Sequence, residues 1–153
     1  MATLQVDTEE FIMALENHSP EIRYFLDKQT GEFVLLGYEG VLGDEDFQET
    51  FEEEFERFEE IEPLPSSRGF DVMLEFAETV APQEAKPSLL RALERRHPFR
   101  SFKDALFDFP EVRESWFRYK DQVYKGFVQE WLEDHDIEAT LKPTFHERTE
   151  QEG

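Results

Sequence analysis

The stretch IRYFLDKQTGEFVLLGY, residues 22–38, contains two runs rich in aromatic and branched apolar residues, separated by a short turn that includes Gly31. Two such runs around a short glycine-containing turn are typical of a β-hairpin. An isolated hairpin is only marginally stable in water, so we expect it to pack on helices or to pair with a further strand. This segment predicts the β part of a mixed fold.

The residues before the hairpin predict a short helix over residues 7–16. Asp7 or Thr8 can cap its N-terminus, and Phe11, Ile12 and Leu15 share one face. The helix and the hairpin together form the predicted N-terminal part of the fold.

Residues 39–62, which follow the hairpin, form an acidic block with twelve Asp and Glu and a single base, Arg57. Apolar residues recur within it at spacings of 4, 4, 3 and 3, namely Phe47, Phe51, Phe55, Phe58 and Ile61. These spacings place the five side chains on one helical face. We therefore predict an amphipathic helix, docked through its phenylalanines, rather than a disordered acidic arm.

The C-terminal half predicts four further helices, separated by prolines and bounded approximately by residues 68–80, 87–96, 99–109 and 110–134. Ser66 or Ser67 is positioned to cap the first of them. The inward residues predicted for that helix are Phe70, Met73, Leu74 and Ala77. The last helix carries a long apolar stripe that includes Trp116 and Trp131, and residues 137–141 predict a brief final strand. These elements indicate an α+β protein.

The predicted α+β architecture is an N-terminal helix and a small antiparallel sheet packed on a helix-rich C-terminal half of about four helices. We expect a single domain over residues 1–142 and a polar acidic tail without fixed structure over residues 143–153. The chain has no cysteine, no basic and apolar leader segment, and no run of 18 apolar residues. A cytoplasmic protein that does not span a membrane is the expectation.

The formal net charge of −21 at pH 7 limits the kinds of partner. Such a charge repels phosphate backbones and anionic lipid, so direct binding of nucleic acid is disfavoured. A basic protein is a better partner. The alternative is that the charge serves only solubility.

Several segments carry a resemblance to a known family. The segment FRSFKDAL, residues 99–106, is followed by Pro110-Glu111 and by Trp116-Phe117. With these segments, the Thr30-Gly31-Glu32 turn and the late Trp131-Leu132-Glu133, the chain resembles the bacterial uncharacterised protein family UPF 0158 over residues 9–138. That family has no established activity, so the resemblance implies a single bacterial domain and adds no mechanism.

Positive charge is concentrated between residues 86 and 103, where six bases stand against the single acid Glu94. The candidate anion-binding residues around the His97-Pro98 break are Arg95, Arg96, Arg100 and Lys103. They could present several donors to a phosphate or carboxylate near a helix start. Alternatively, they could lie against the acidic block and neutralise its self-repulsion.

No catalytic or metal signature is present. The four histidines have no partner at i+3 or i+4, and a calcium loop beginning at Asp44 fails because Glu49 stands where glycine is required. We assign no catalytic residue, metal ligand or cofactor. The sequence is more consistent with a non-catalytic cytoplasmic adaptor that binds a protein partner than with an enzyme. The alternatives are an anion or nucleotide sensor that uses residues 91–103, and an acidic mimic of nucleic acid.

Overall fold

The computed structural model describes residues 4–43 and 46–144. Its elements, in chain order, are β1 (Leu4–Asp7), α1 (Thr8–Leu15), β2 (Arg23–Asp27), β3 (Phe33–Gly37), β4 (Gly40–Val41), α2 (Phe47–Glu53), β5 (Phe58–Ile61), α3 (Ser66–Thr79), α4 (Lys86–Leu93), α5 (Pro98–Leu106), α6 (Pro110–Asp134) and β6 (Ala139–Lys142). The predicted α+β class is confirmed, with a helix-rich C-terminal half. The chain forms two compact units. The first unit comprises the described residues up to 63 and from 125, and the second unit comprises residues 64–124.

The predicted hairpin is present as β2 and β3, and it forms the centre of an antiparallel sheet with the strand order β4-β3-β2-β5. Leu26 lies opposite Phe33, next to the turn. Gly31 has a φ of 83°, and a Cβ at this position would collide with the backbone carbonyl oxygen of Gln5. Glycine is therefore required at this position both by the backbone conformation and by the close approach to β1.

One face of this sheet is covered by the phenylalanines of the acidic block. Phe51 packs against Phe25 with ring centroids 5.1 Å apart, and against Phe58 at 5.0 Å. Phe47 also contacts Phe58 at 5.7 Å. The buried core of this face is completed by Val34. The docking of a helix through Phe47 and Phe51 is confirmed.

The prediction of one helix through residues 47–61 was wrong. The α-helix ends at Glu53, a 3₁₀ turn spans Phe55–Arg57, and the segment from Phe58 continues as β5. Phe58 lies opposite Asp27 and Ile61 opposite Tyr24 in an antiparallel ladder. The ladder places Phe58 and Ile61 on opposite faces of the sheet, so both are buried although they are three residues apart.

The other face of the sheet packs on α1. Asp7 caps this helix by accepting a hydrogen bond from the Glu10 N–H, at 3.1 Å. Phe11 contacts Phe33 at 5.6 Å and Trp131 at 5.1 Å. The predicted helix over residues 7–16 is thus confirmed. The first unit is layered, with α2 on one face of the sheet and α1 and the end of α6 on the other.

A parallel pair of strands, β1 and β6, accompanies the sheet, with Leu4 opposite Ala139. The final strand was predicted, but β1 was missed because its four residues, LQVD, are too few to establish an alternation. The Thr8 hydroxyl donates to the Lys142 carbonyl oxygen at 2.5 Å. Pro143 is partly buried and Thr144 is fully buried, and residues 145–153 of the predicted tail lie outside the described residues.

The second unit is built from α3, α4, α5 and the first part of α6. α3 begins at Ser66 without a side-chain cap, so the prediction of a serine cap was wrong. Its buried residues are Val72, Met73, Phe76 and Ala77. Phe70 and Leu74, predicted to face inward, are only partly buried.

α6 has the bounds that the sequence predicted. Trp116, only 6% exposed, packs against Phe102 and Phe76, with ring centroids 5.0 and 5.3 Å apart. Trp131 is partly buried. The buried positions of α6 recur mostly every four residues and are Val112, Trp116, Tyr124, Val128 and Leu132.

Candidate functional site

The four predicted anion-binding residues lie at different places on the second unit, and all are exposed. Arg95 lines a groove between α4 and α5, whereas Arg96 and Arg100 line an open pocket at the start of α5. Lys103 lines neither. The structure therefore brings Arg96 and Arg100 together, but it does not place all four bases around either cavity.

The pocket at the start of α5 has a volume of about 310 Å³ and is completed by His97, Pro98 and Phe99. The N-cap residue, His97, makes no side-chain hydrogen bond to the helix. The first-turn N–H groups are therefore not satisfied by a capping side chain. Two guanidinium groups beside an uncapped helix start are suited to an anion.

Three side chains of the first unit pair with the acidic block. Among the described residues, Arg23 binds Glu60 at 2.7 Å, Lys28 approaches Glu59 at 3.8 Å, and His135 Nε2 lies 3.3 Å from Glu59. Within the second unit, no ion pair involves Arg95, Arg96, Arg100 or Lys103, as far as the structure describes it.

The described carboxylates on and around α2 form a surface that we call the acidic surface. Its six exposed members are Asp46, Glu49, Glu52, Glu53, Glu54 and Glu56. Phe55 lies among them and is 53% exposed. The surface is held to the sheet by Gln48, which accepts a hydrogen bond from the Val41 N–H at 2.6 Å.

Three of these carboxylates are at the unfavourable end of the helix. Glu52 and Glu53 are in the last turn of α2 and Glu54 follows, although the C-terminus of a helix favours cations. α2 has no base in its last turn. Arg57 reaches Glu54 at 3.2 Å, but its main partner is elsewhere. The local electrostatics of the acidic surface are therefore unfavourable.

The main partner of Arg57 is Asp27, at the end of β2. Arg57 donates from Nε to Asp27 Oδ1 at 2.8 Å and from Nη2 to Oδ2 at 2.6 Å. Burial alone would raise the pKa of Asp27, but hydrogen bonds from Arg57, the Gln29 N–H and the Thr30 hydroxyl together lower it. The pair fixes the 3₁₀ turn against the sheet and so positions Phe55 and the end of α2.

The net charge is segregated between the two units. Residues 64–124 contain ten Asp and Glu and ten Lys and Arg, so the formal charge of the second unit is zero. The whole net charge of −21 therefore belongs to the rest of the chain. The basic cluster was evident from the sequence, but it only balances the acids of its own unit, and that balance was missed.

Within residues 4–43 and 46–144, two kinds of feature are absent. No three His, Asp or Glu side chains come together in a way that could hold a metal ion. No helix in these ranges combines the length and apolar composition needed to cross a membrane.

These features define a small α+β protein with an acidic unit and an electrically neutral helical unit. The sequence profile of the uncharacterised protein family UPF0158 matches residues 1–150, and the chain belongs to that family. It is 32% identical over 142 residues to UPF0158 protein PA5073 of Pseudomonas aeruginosa strain PAO1, covering 93% of this chain and 90% of that protein. No solved structure matches the chain.

Proposed function

We propose that this protein is a non-catalytic cytoplasmic adaptor that binds a basic protein partner through the acidic surface. The observation that carries the proposal is the row Glu52, Glu53 and Glu54 at the C-terminal end of α2, where the helix dipole disfavours carboxylates. Local rules that are broken at an exposed position are typical of functional sites. A cationic partner would supply the positive charge that the helix end lacks.

An exposed aromatic residue accompanies these charges. The Phe55 ring contacts Phe51 at 5.5 Å and Phe25 at 6.2 Å, and about half of the side chain remains exposed to solvent. Aromatic side chains are enriched at the centres of protein interfaces because they bury much area at low entropic cost. We therefore expect the partner to combine basic residues with an apolar side chain that covers Phe55.

Replacing Glu52 and Glu53 by Lys is expected to weaken binding at least about tenfold, which corresponds to about 1.4 kcal/mol. The same change should raise the free energy of unfolding by about 0.5 to 1 kcal/mol, because the lysines suit the helix C-terminus. Binding can be measured by fluorescence anisotropy with a labelled peptide of alternating Arg and Leu, and stability by urea denaturation.

The control variant carries Lys at Glu130 and Glu133, which are exposed residues of α6. It has the same net charge as the Glu52→Lys, Glu53→Lys variant, so it tests whether binding depends on the surface or only on the total charge. The control should bind the peptide within about twofold of wild type, a difference below about 0.5 kcal/mol. Equal weakening in both variants would show that the acidic surface is not the binding site.

The pocket at the start of α5 favours a second candidate function, that of an anion or nucleotide sensor. A ligand that binds there raises the melting temperature by mass action. We would expect pyrophosphate or ATP to stabilise wild type at low salt and to leave an Arg96→Ala, Arg100→Ala variant unchanged. The same melting temperature with and without either anion in wild type would eliminate this candidate.

A further inference from the structure

The groove between α4 and α5 carries a charge pattern that the proposed function does not use. It has a volume of about 360 Å³ and lies wholly within the second unit. Half of its lining consists of small residues, Ser88 and Ala92 from α4 and Ser101 and Ala105 from α5. Because these side chains are small, another element can approach α4 and α5 closely.

The charged residues of the groove are Arg91, Arg95, Asp104 and Asp108. α5 runs back beside α4 after the short connection 94–97, because a connection of this length joins antiparallel neighbours. The two arginines, from the end of α4 and the connection, therefore lie toward one end of the groove. The two aspartates, from the last turn of α5 and just beyond it, lie toward the other end.

These four side chains are not paired with one another in the chain. Within the part of the protein that the structure describes, Arg95, Asp104 and Asp108 make no side-chain hydrogen bond or ion pair. Arg91 donates only one long hydrogen bond, of 3.4 Å, to the Pro87 carbonyl oxygen. The groove thus has a positive end and a negative end, and both are available to a partner.

We propose that the groove is a homodimer interface occupied by the same groove of a second copy of this chain. A twofold axis through the middle of the groove places the arginine end of one copy over the aspartate end of the other, and the reverse contact follows by symmetry. A basic peptide would match only the aspartate end, and an acidic peptide only the arginine end. A second copy matches both.

The distribution of charge and of apolar surface agrees with this partner. Two copies with a net charge of −21 repel one another, yet the second unit has no net charge of its own. At 0.15 M salt the Debye length is about 8 Å, so repulsion between distant acids is screened while ion pairs in contact persist. Phe107, which precedes Asp108 in the sequence and is 63% exposed, adds apolar surface to the same unit.

The experiment that tests the dimer is a charge reversal followed by mixing. One variant carries Arg91→Glu and Arg95→Glu, and the other carries Asp104→Arg and Asp108→Arg. Sedimentation velocity at about 0.15 M salt, from about 1 µM to about 1 mM protein, spans weak and moderate affinities. Wild type should dimerise, and each variant alone should be monomeric because its groove has one sign of charge. An equimolar mixture should form a heterodimer.

The matched control is Arg96→Glu with Arg100→Glu, which makes the same change of charge in the same unit but outside the groove. It should dimerise like wild type. If a reversed variant loses its far-UV circular dichroism, the milder Arg91→Gln, Arg95→Gln variant should still weaken the dimer at least about tenfold.

Three results would overturn the proposal. They are a monomeric wild type throughout the concentration range, reversed variants that dimerise as wild type does, and a mixture that does not associate. Monomeric wild type that is stabilised by the dipeptide Lys-Glu would assign the groove to a small zwitterionic ligand instead.

Discussion

Replacing Trp116 by Ala is expected to lower the free energy of unfolding by about 3 to 5 kcal/mol, the usual range for truncating a large buried aromatic side chain. Trp116 is 6% exposed and its ring contacts Phe76, Phe102 and Tyr119. The cavity left by the indole would be lined by these rings, which belong to three different helices of the second unit. Because they are anchored on separate helices, the cavity should collapse only in part.

The loss can be measured by urea denaturation followed by far-UV circular dichroism, which does not depend on the deleted fluorophore. Phe107→Ala is the matched control, since Phe107 is an exposed aromatic residue of the same unit. Its main contact is the Arg113 guanidinium, 4.8 Å from the ring centroid. Removing one exposed cation–π contact should cost at most about 1 kcal/mol. Similar losses for the two variants would contradict the central position of Trp116.

The elements that could be predicted from the sequence are those whose periodicity is continuous and ends at a strong signal. α6 is bounded by Pro110 and carries apolar residues over its whole length, and the hairpin has two strand-like runs around the turn that contains Gly31. In these segments local preference and tertiary packing favour the same structure. Agreement of this kind is what makes a prediction from pattern succeed.

The prediction of one helix through the acidic block was wrong because the spacing of its apolar residues fits two structures, a continuous helix and a shorter helix followed by a strand. Phe55, Phe58 and Ile61 continue a helical pattern, but the chain leaves the helix at Glu54 and enters β5. The reason lies outside the segment. β2 offers a free edge to residues 58–61, and Asp27 binds Arg57 from a position thirty residues earlier. A pattern within one segment contains no information about such distant partners.

The candidate site shows the same limitation. Arg95, Arg96, Arg100 and Lys103 are close in sequence, but Arg95 and Arg96 lie in the connection 94–97 and Arg100 and Lys103 lie on α5, so proximity in sequence does not bring all four side chains together. Arg96 and Arg100, separated by four positions, share a pocket, whereas Arg95 faces the groove with Arg91. The sequence did contain a signal for the groove. Like charges stand four positions apart in Arg91 with Arg95 and in Asp104 with Asp108, and this spacing indicates two oppositely charged faces.

Replacing Asp27 by Asn is expected to lower the free energy of unfolding at pH 7 by about 3 to 5 kcal/mol, the cost of breaking a buried ion pair. Asp27 is 2% exposed and binds both Nε and Nη2 of Arg57. The asparagine amide keeps the shape of the carboxylate but not its charge or both of its acceptor atoms. Arg57 would then lie in the turn without the partner that fixes Phe55 and the end of α2.

The loss should also depend on pH, in a direction that follows from the pKa of Asp27. The folded protein lowers this pKa below the unfolded value of about 3.9. The stabilisation is therefore fully present above about pH 4 to 5 and is lost as the pH falls through the lower, folded pKa.

Glu60 behaves in the same way, because a hydrogen bond from Arg23 lowers its pKa. Burial and the charges of Asp7 and Glu32 raise the pKa of Glu10, so its contribution has the opposite sign.

Comparing wild type with the Asp27→Asn variant separates Asp27 from these other groups, since both proteins contain Glu10 and Glu60. Urea denaturation at pH 7, 5, 4 and 3 should give a difference in stability that is constant down to about pH 5 and then shrinks, because protonated Asp27 and the asparagine that replaces it are both neutral. An Arg23→Gln variant is the control, since its exposed pair with Glu60 should contribute no more than about 1 kcal/mol. A difference that stays the same from pH 7 to pH 3 would show that the carboxylate charge of Asp27 does not stabilise the fold.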